Sequence, residues 1–481
     1  MLLCDVIHGL LEQCGTLDKN IDITGIAYDS RKVQPGYLFI CITGFKTDGH
    51  DYVQTAISKG AAAIVAEKDI GIRSIPVIRV QDSRKVLAIV SAAFYNQPSS
   101  KFKLVGITGT NGKTTSTYLI KNILEKKGYK VGLIGTNQNM IGDKILPAER
   151  TTPESLELQQ LFADMAANAV DFVVMEVSSH SLELHRVEGC HFEVGVFTNL
   201  TQDHLDFHGT MENYLKAKSK LFFLANTGII NGDDSSCDLI LKSEACRFQT
   251  YGIDKAVDIK AEDVHLSARG VQFRLVTPNG SVNIDLGIPG KFSVYNALGS
   301  IGAGIALGID LETIREGLKD ANGVQGRAQL VETGKDFTVM IDYAHTPDGL
   351  INILNTVKDF AKGRVVTLFG CGGDRDITKR PIMGKVAGEL SNFCIVTSDN
   401  PRTEDPSLII KHIEEGIKDT GTPYIVIENR YDAIQYALDN AIKDDVIVIA
   451  GKGHENYQEI NGIKRPFDEK AIVENIVKSG A

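Results

Sequence analysis

Five apolar runs in the last third of the chain share one pattern, in which a stretch of strand-forming residues breaks into a polar or glycine-rich cluster. They are TVMIDYAHTPD (338–348), RVVTLFGCGGDRD (364–376), FCIVTSDNPRTED (393–405), YIVIENR (424–430) and DVIVIAGKGHE (445–455). Helical patterns lie between them. Strands alternating with helices predict a doubly wound parallel sheet. Ligands on such sheets bind at the carboxyl ends of the strands. Four of the five ends carry His, Arg, Asp or Lys, more than the polarity of loops alone explains.

The rest of the chain divides in two. Residues 1–100 alternate β-rich runs (Tyr37–Ile42, Ala62–Val65, Pro76–Val80) with helical patches such as Tyr52–Lys59. The polar segment YNQPSSK (95–101) reads as a linker. From Phe102 a strand leads into a glycine-rich loop and a helix expected over Ser116–Lys127. Strands follow at Phe172–Met175 and Gly195–Thr198, and Val257–Leu286 has the two-residue period of antiparallel strands. The expectation is an α/β protein of three domains. An N-terminal α/β domain spans 1–100, a central P-loop-type domain with a mostly parallel sheet 101–328, and a Rossmann-like doubly wound domain 329–481.

Composition narrows the partners. A net charge of −10 disfavours nucleic acid held on a general basic surface, so any anion must be held by local basic groups. Eight cysteines are scattered without a CxxC pair, as in a reducing cytoplasm. MLLCDVIHGLLEQCG lacks the basic start and cleavage site of a signal peptide, and no apolar run approaches the ~20 residues that span a bilayer.

The loop GITGTNGKTTS (106–116) holds the first candidate chemistry. It ends like a phosphate-binding loop, yet the strict pattern needs four residues between its glycines, and only two stand between Gly109 and Gly112. A strand, a glycine turn and a helix opening with Lys113, Thr114 and Thr115 nonetheless suit a triphosphate. Backbone N–H groups face the anion, Lys113 adds a point charge and Thr114 a hydroxyl for Mg²⁺. Glu176 ends the apolar run DFVVMEV, where an acid commonly completes such a metal site; Ser178 or Ser179 also suits a helix N-cap. Asp203, His204, Asp206 and His208 crowd into NLTQDHLDFHGT (199–210) without zinc spacing, which favours hard Mg²⁺ or Mn²⁺. The lysines of YLKAKSKLF (214–222) read by themselves as a solvated helix face.

Together these segments resemble the Mur ligases. GTNGKTT (109–115), TTPE (151–154), EVSSH (176–180), NLTQDHLDFHGT, YLKAKSKLF, DYAHTPD (342–348), GCGGDRDITKRP (370–381), DNPR (399–402) and GKGHE (451–455) occur in that family's order, over essentially the whole chain. DSRKVQPGYLFICITGFKTDGHDY (29–52) looks like its uridine-nucleotide domain. The resemblance, strongest to the branch adding the third residue of the peptidoglycan stem peptide, implies an ATP-dependent ligase of the bacterial cytoplasm. It would be a monomer with no membrane insertion and would act on UDP-MurNAc-L-Ala-D-Glu through an acyl phosphate. It implies an ATP site at Gly109, Thr110, Asn111, Gly112, Lys113, Thr114 and Thr115, with Asn296, Arg327, Asp342 and His345. Two Mg²⁺ would be held through Thr114, Glu176, His204 and Lys218, the last as a CO₂-derived carbamate (N6-carboxylysine). Lys113, Glu176, His204 and Lys218 would be catalytic. Ser30, Phe45, Lys46 and Thr47 match the uridine site, and Thr151, Thr152, Ser178 and Arg186 the muramoyl-peptide site. Leu184, where many relatives carry a polar residue, and GRAQ (326–329), where GRME is commoner, depart from the pattern.

The resemblance also bears on which amino acid is added. DNPR matches the form taking meso-diaminopimelate, whose distal carboxylate would be gripped by the planar fork of Arg402. Arg375, Asp399, Asn400, Pro401, Gly451 and Glu455 complete the match, with Glu455 accepting from the distal ammonium. Alternatives are the L-lysine-adding ligase, folylpolyglutamate synthase, which lacks DNPR and the DSR segment, and a nucleotide-dependent regulatory or binding protein. The last would require degraded positions where Lys113, Glu176, His204 and Lys218 stand.

Overall fold

The computed structural model describes residues 1–7, 21–45, 47–267, 269–321 and 323–479, leaving aside the side chain of Asp206. Lys46, expected in the uridine site, lies outside the described residues. The described chain forms two compact units, Met1–Ile259 with Gly299–Ile314, and Lys260–Leu298 with Arg315–Ala481.

The first unit opens with four parallel strands in chain order, Gly25–Ala27, Tyr37–Ile40, Ala63–Ala66 and Val77–Arg79. Alternate residues feed opposite cores. Leu38 and Ile40 pack with Val86, Leu87 and Val90 of the helix Ser83–Phe94, whereas Phe39 packs with Val53 and Ala56 of the helix Val53–Ser58. Burial on both faces explains why these strands read as continuous apolar runs. The segment expected as a linker folds into a tight turn. Asn96 and Gln97 take left-handed backbone angles, Gln97 N donates to Ala92 O (2.7 Å), and Pro98 and Ser99 are buried.

The larger sheet of this unit places Lys103–Thr108 between Phe192–Phe197 and Phe172–Glu176, all parallel. After Lys103–Thr108 the chain crosses to Val131–Ile134 on one side, and it later reaches Phe192–Phe197 on the other. This reversal makes the end of Lys103–Thr108 a topological switch point, where such sheets leave a crevice for ligands. The following helix spans Lys113–Lys126, so it starts before the expected Ser116. Left-handed Gly112 (φ 84°) ends the loop and lets Lys113 enter the first turn.

The segment 257–286, which from Lys260 on belongs to the second unit, resolves into a three-stranded antiparallel meander, Ile259–Ser267, Gly270–Thr277 and Gly280–Leu286. All five expected strands are present, as Thr338–Asp342, Val446–Ala450, Val365–Phe369, Phe393–Val396 and Tyr424–Val426, parallel in that order. Gln329–Val331 adds an antiparallel edge. Met340, Phe369, Val396 and Val448 face the helices Pro347–Lys358, Lys379–Leu390 and Pro406–Ile417. Ile341, Leu368, Ile395 and Ile447 face Arg430–Asp439 and Glu469–Ser479. Helices on both faces give the doubly wound arrangement, with every carboxyl end of the parallel strands on one edge. The hairpin Tyr457–Ile460/Ile463–Pro466 follows the last strand.

Candidate active site

The glycine loop is a closed structure in the first unit. Gly109 has φ 146°, and a Cβ there would overlap Thr198 Oγ1 and lie 3.1 Å from Asn199 N. Only glycine lets the loop meet the neighbouring strand end so closely. Thr198 Oγ1 donates to Asn111 O (2.6 Å), and Asn111 N donates to Asn199 Oδ1 (2.9 Å). Lys113 Nζ bends over the loop and donates to Gly109 O (2.9 Å) and Thr110 O (2.8 Å). Thr114 and Thr115 are buried in the first turn of the helix. The loop thus joins an ammonium to the N-terminus of a 14-residue helix, a combination suited to phosphate.

Glu176 ends the adjacent strand and is 1% exposed. Its carboxylate accepts from Thr136 N (2.8 Å) and Thr136 Oγ1 (3.0 Å), and Thr136 Oγ1 also meets Thr151 Oγ1 (3.1 Å). Thr152 Oγ1 donates to Glu176 O (2.8 Å). Ser178 does cap the helix Ser179–Glu183, accepting from Ser181 N. His204, in a left-handed conformation, starts the short helix Leu205–His208; its Nε2 lies 3.4 Å from Asp203 Oδ2, and its ring meets that of His180 at 4.8 Å.

Lys218 differs from its neighbours. Lys216 pairs with Glu212 (2.8 Å) and Lys220 with Glu183 (2.7 Å) at the surface, whereas Lys218 is 1% exposed. Its Nζ sits 4.3 Å from the centre of the Tyr214 ring, and no acceptor among the described residues hydrogen-bonds it. Burial first, and then the Lys113 ammonium, hold its basicity well below the usual lysine range. Tyr214 OH reaches Thr110 Oγ1 (3.3 Å), tying Lys218's helix to the glycine loop.

The same unit holds a cavity of about 550 Å³ whose lining includes Ser30, Phe45, Thr47, Leu184 and Arg186. Three further lining residues escaped the sequence reading. Arg84, Arg150 and Glu154 join Arg186 in a cluster, with Glu154 at 2.8 Å from Arg186, 2.7 Å from Arg150 and 3.9 Å from Arg84. Three guanidiniums around one carboxylate leave an excess of positive charge that suits an anionic ligand. The signal was faint in sequence because the arginines lie far apart along the chain. Phe45, 78% exposed, lies at 6.0 Å from Phe207.

The remaining candidates fall on the second unit. Asn296 is buried on the helix Lys291–Ala306. Arg327 stacks over Tyr343 (4.9 Å), and Asp342 accepts from Ala328 N (2.7 Å) and Ala344 N (2.8 Å). Burial pushes the Asp342 carboxyl above its usual pKa, against the opposing pull of Arg327. His345 Nδ1 meets Tyr343 O (2.8 Å) at the surface.

Asp399–Arg402 and Gly451–Glu455 leave two strand ends and meet. Asn400 Nδ2 donates to Glu455 Oε2 (2.8 Å), and Lys452 Nζ donates to Asn400 Oδ1 (2.9 Å). Gly451 has φ 121°, and a Cβ there would overlap Asp399 Oδ2. Pro401 is buried. Arg402 has φ 51°; its Nη1 donates to Gly373 O (2.7 Å) and its Nε lies 3.3 Å from Glu459 Oε2. Arg375 is exposed, with Nη1 on Asp374 O (3.2 Å). Lys452 and Glu459 were missed in sequence: one looks like a loop lysine between glycines, the other like a hairpin residue.

Among the described residues no three His, Cys, Asp or Glu side chains are gathered to hold a metal, and no helix is long and apolar enough to cross a membrane. Three segments match family descriptions: 22–95 the Mur ligase family catalytic domain, 107–304 the Mur ligase middle domain, and 326–453 the Mur ligase glutamate ligase domain. Relatives named UDP-N-acetylmuramoyl-L-alanyl-D-glutamate--2,6-diaminopimelate ligase include one from Caldanaerobacter subterraneus subsp. tengcongensis, 53% identical over 99% of both chains. Another, from Clostridium botulinum, is 54% identical over 95% of both. A solved structure of a ligase of that name superimposes with a TM-score of 0.76 at 33% identity, covering 100% of this chain and 99% of its own. The chain belongs to the Mur ligase family.

Proposed function

We propose that this ATP-dependent ligase joins meso-2,6-diaminopimelate to the D-glutamate of UDP-N-acetylmuramoyl-L-alanyl-D-glutamate, a step of peptidoglycan precursor synthesis. The observation that carries the choice of amino acid is that the turn bearing Arg402 is bonded to Glu455 through Asn400 at one sheet edge. One side chain suits a carboxylate and the other an ammonium, the two groups at the distal end of diaminopimelate. The names of the near-full-length relatives support the same reading. It extends to a monomer working in the bacterial cytoplasm, in keeping with the bacterial sources of those relatives.

In the reaction, an oxygen of the D-glutamate carboxylate attacks the γ-phosphorus of ATP; the bond to ADP breaks and an acyl phosphate forms. The amine of diaminopimelate, as its free base, then attacks the acyl carbon. The tetrahedral adduct expels inorganic phosphate, the nitrogen loses a proton, and the amide remains. Two anions have to approach each other, and Lys113 at the loop offsets part of their repulsion. The arginines around Glu154 would hold the nucleotide-linked peptide, with Ser30, Phe45 and Thr47 nearer its uridine.

Thr114, Glu176 and His204 would hold Mg²⁺, which when bound screens the phosphate charge. The fit turns on Lys218. An ammonium beside the ions would repel them, but this lysine is buried with no acceptor among the described residues, in a setting that favours the neutral amine. Its nitrogen can add to CO₂, forming an N–C bond and releasing a proton, which leaves a carboxylate. With that change the residues present fit Mg²⁺.

The test is phosphate release from ATP with UDP-N-acetylmuramoyl-L-alanyl-D-glutamate and one amino acid at a time. Release with meso-diaminopimelate alone supports the reading. Release with L-lysine alone moves the chain to the lysine-adding branch, glutamyl folate as acceptor overturns it, and no release with any acceptor leaves the regulatory class.

A further inference from the structure

Lys452 has the environment of a group placed for function. Its side chain is fully buried, yet its ammonium faces three polar partners: Asn400 Oδ1 at 2.9 Å, Glu455 Oε2 at 3.4 Å and Asp399 Oδ1 at 3.7 Å. The Tyr457 ring closes another side, 5.6 Å from Nζ. Burying an ammonium is costly unless partners offset it, and hydrophobic packing often stabilises as well. A nearby pair shows the purely structural alternative. Arg430 and Glu469, 0% and 1% exposed, bond to each other (2.7 Å), and Arg430 Nη2 donates to Ala450 O (2.9 Å), bracing the strand without reaching the turn above it.

Lys452 does reach that turn. Asn400 Oδ1 accepts from Lys452 Nζ and from Glu459 N (2.9 Å), which fixes the orientation of the amide. Asn400 Nδ2 therefore points at Glu455 Oε2 (2.8 Å). With Oε2 held by Asn400 and Lys452, Oε1 of Glu455 has no donor among the described residues, and the side chain is 17% exposed. Glu455 is thus pinned by one oxygen and left with the other to accept.

We propose that Lys452 is a positioning residue for the incoming amino acid: through Asn400 it fixes Glu455 so that Oε1 meets the ammonium at the far end of the ligand. This deepens the diaminopimelate reading above and rests on it. Lys452 touches no substrate and acts through its neighbours.

Steady-state kinetics of Lys452→Met test the idea, with Lys452→Gln, which keeps a donor, as a second variant. Losing one charge-assisted contact to the ligand is expected to raise KM for meso-diaminopimelate about tenfold to a hundredfold. KM for ATP and for the UDP-linked dipeptide should stay within about twofold, the scatter of substitutions outside a site. Placed on Glu455→Gln, Lys452→Met should add little, because the group it positions is already altered. An unchanged KM for diaminopimelate overturns the proposal, as does a common rise in all three KM values or full additivity with Glu455→Gln. Failure of both variants to fold also overturns it, since Lys452 would then be structural. A wild-type enzyme that does not use diaminopimelate would instead refute the underlying functional reading.

Discussion

Replacing Arg402 by lysine keeps the positive charge and removes the fork. The arginine is held by Nη1 on Gly373 O at 2.7 Å and by Glu459 beside Nε at 3.3 Å, while Nη2 has no acceptor among the described residues. A ligand carboxylate can therefore meet the outward end of the guanidinium. Lysine cannot hold Gly373 O and grip a carboxylate in the same plane. A charge-assisted pair is worth about 1.5–3 kcal/mol. Because the Arg402 side chain is 20% exposed, solvent screening places the loss in the lower half of that range. About 1.5–2 kcal/mol corresponds to a rise of roughly tenfold to thirtyfold in KM for diaminopimelate. The left-handed backbone at this position strains lysine and arginine alike, so the melting temperature should hardly move. The assay is phosphate release with diaminopimelate titrated at saturating ATP and UDP-linked dipeptide. The dipeptide KM should stay near its wild-type value. An unchanged diaminopimelate KM, or a loss confined to kcat, would refute the assignment of Arg402 to the distal carboxylate.

Lys218→Ala should abolish ligation, and millimolar formate or acetate should restore part of it by supplying the missing carboxylate; full activity without rescue would exclude the carbamate. Gly109→Ala should remove ATP turnover, because its methyl group overlaps Thr198 Oγ1 at a positive φ, and wild-type turnover would show that the loop tolerates a shift. His454 is lowered to about 4 by burial, then by Arg327 and His345. Its unfolded-state value is the higher one, so the unfolded chain binds more protons between about pH 6.5 and 4. The stability contributed above that window should be lost as pH falls through it, and a His454→Phe variant should show a flatter urea midpoint; an equally steep profile would count against this cause.

Much of the fold was legible because the parallel strands are buried on both faces and read as unbroken apolar runs with charged ends. All five strands of the second unit follow from that signal, whereas the edge strand Gln329–Val331 and the hairpin after Glu455 are too short or too exposed to give it. The apolar pattern of the helix that follows the glycine loop begins only after its Lys-Thr-Thr first turn, and it was the phosphate-loop motif that put Lys113 at its start. Among candidate site residues, pattern alone could not separate Lys218 from Lys216 and Lys220. The difference is burial against Tyr214, a tertiary property, and only the resemblance singled Lys218 out. Lys452 lies within the strand-end motif GKGHE, but no sequence pattern assigned it a role of its own, since its partners Asn400 and Asp399 lie some fifty residues earlier in the chain.

The hairpin Tyr457–Pro466 touches the Asp399–Arg402 turn along one edge: Arg402 N donates to Glu459 O (3.1 Å) and Asn461 N to Arg402 O (2.7 Å). Its outer strand, Ile463–Pro466, is exposed throughout, so neither sheet core depends on it. A descendant could therefore exchange this clip and the turn it holds, and so take a different amino acid, without repacking the strands beneath. Diversification of the added residue would then need changes in only two short stretches of the gene, while the phosphate loop is inherited unchanged.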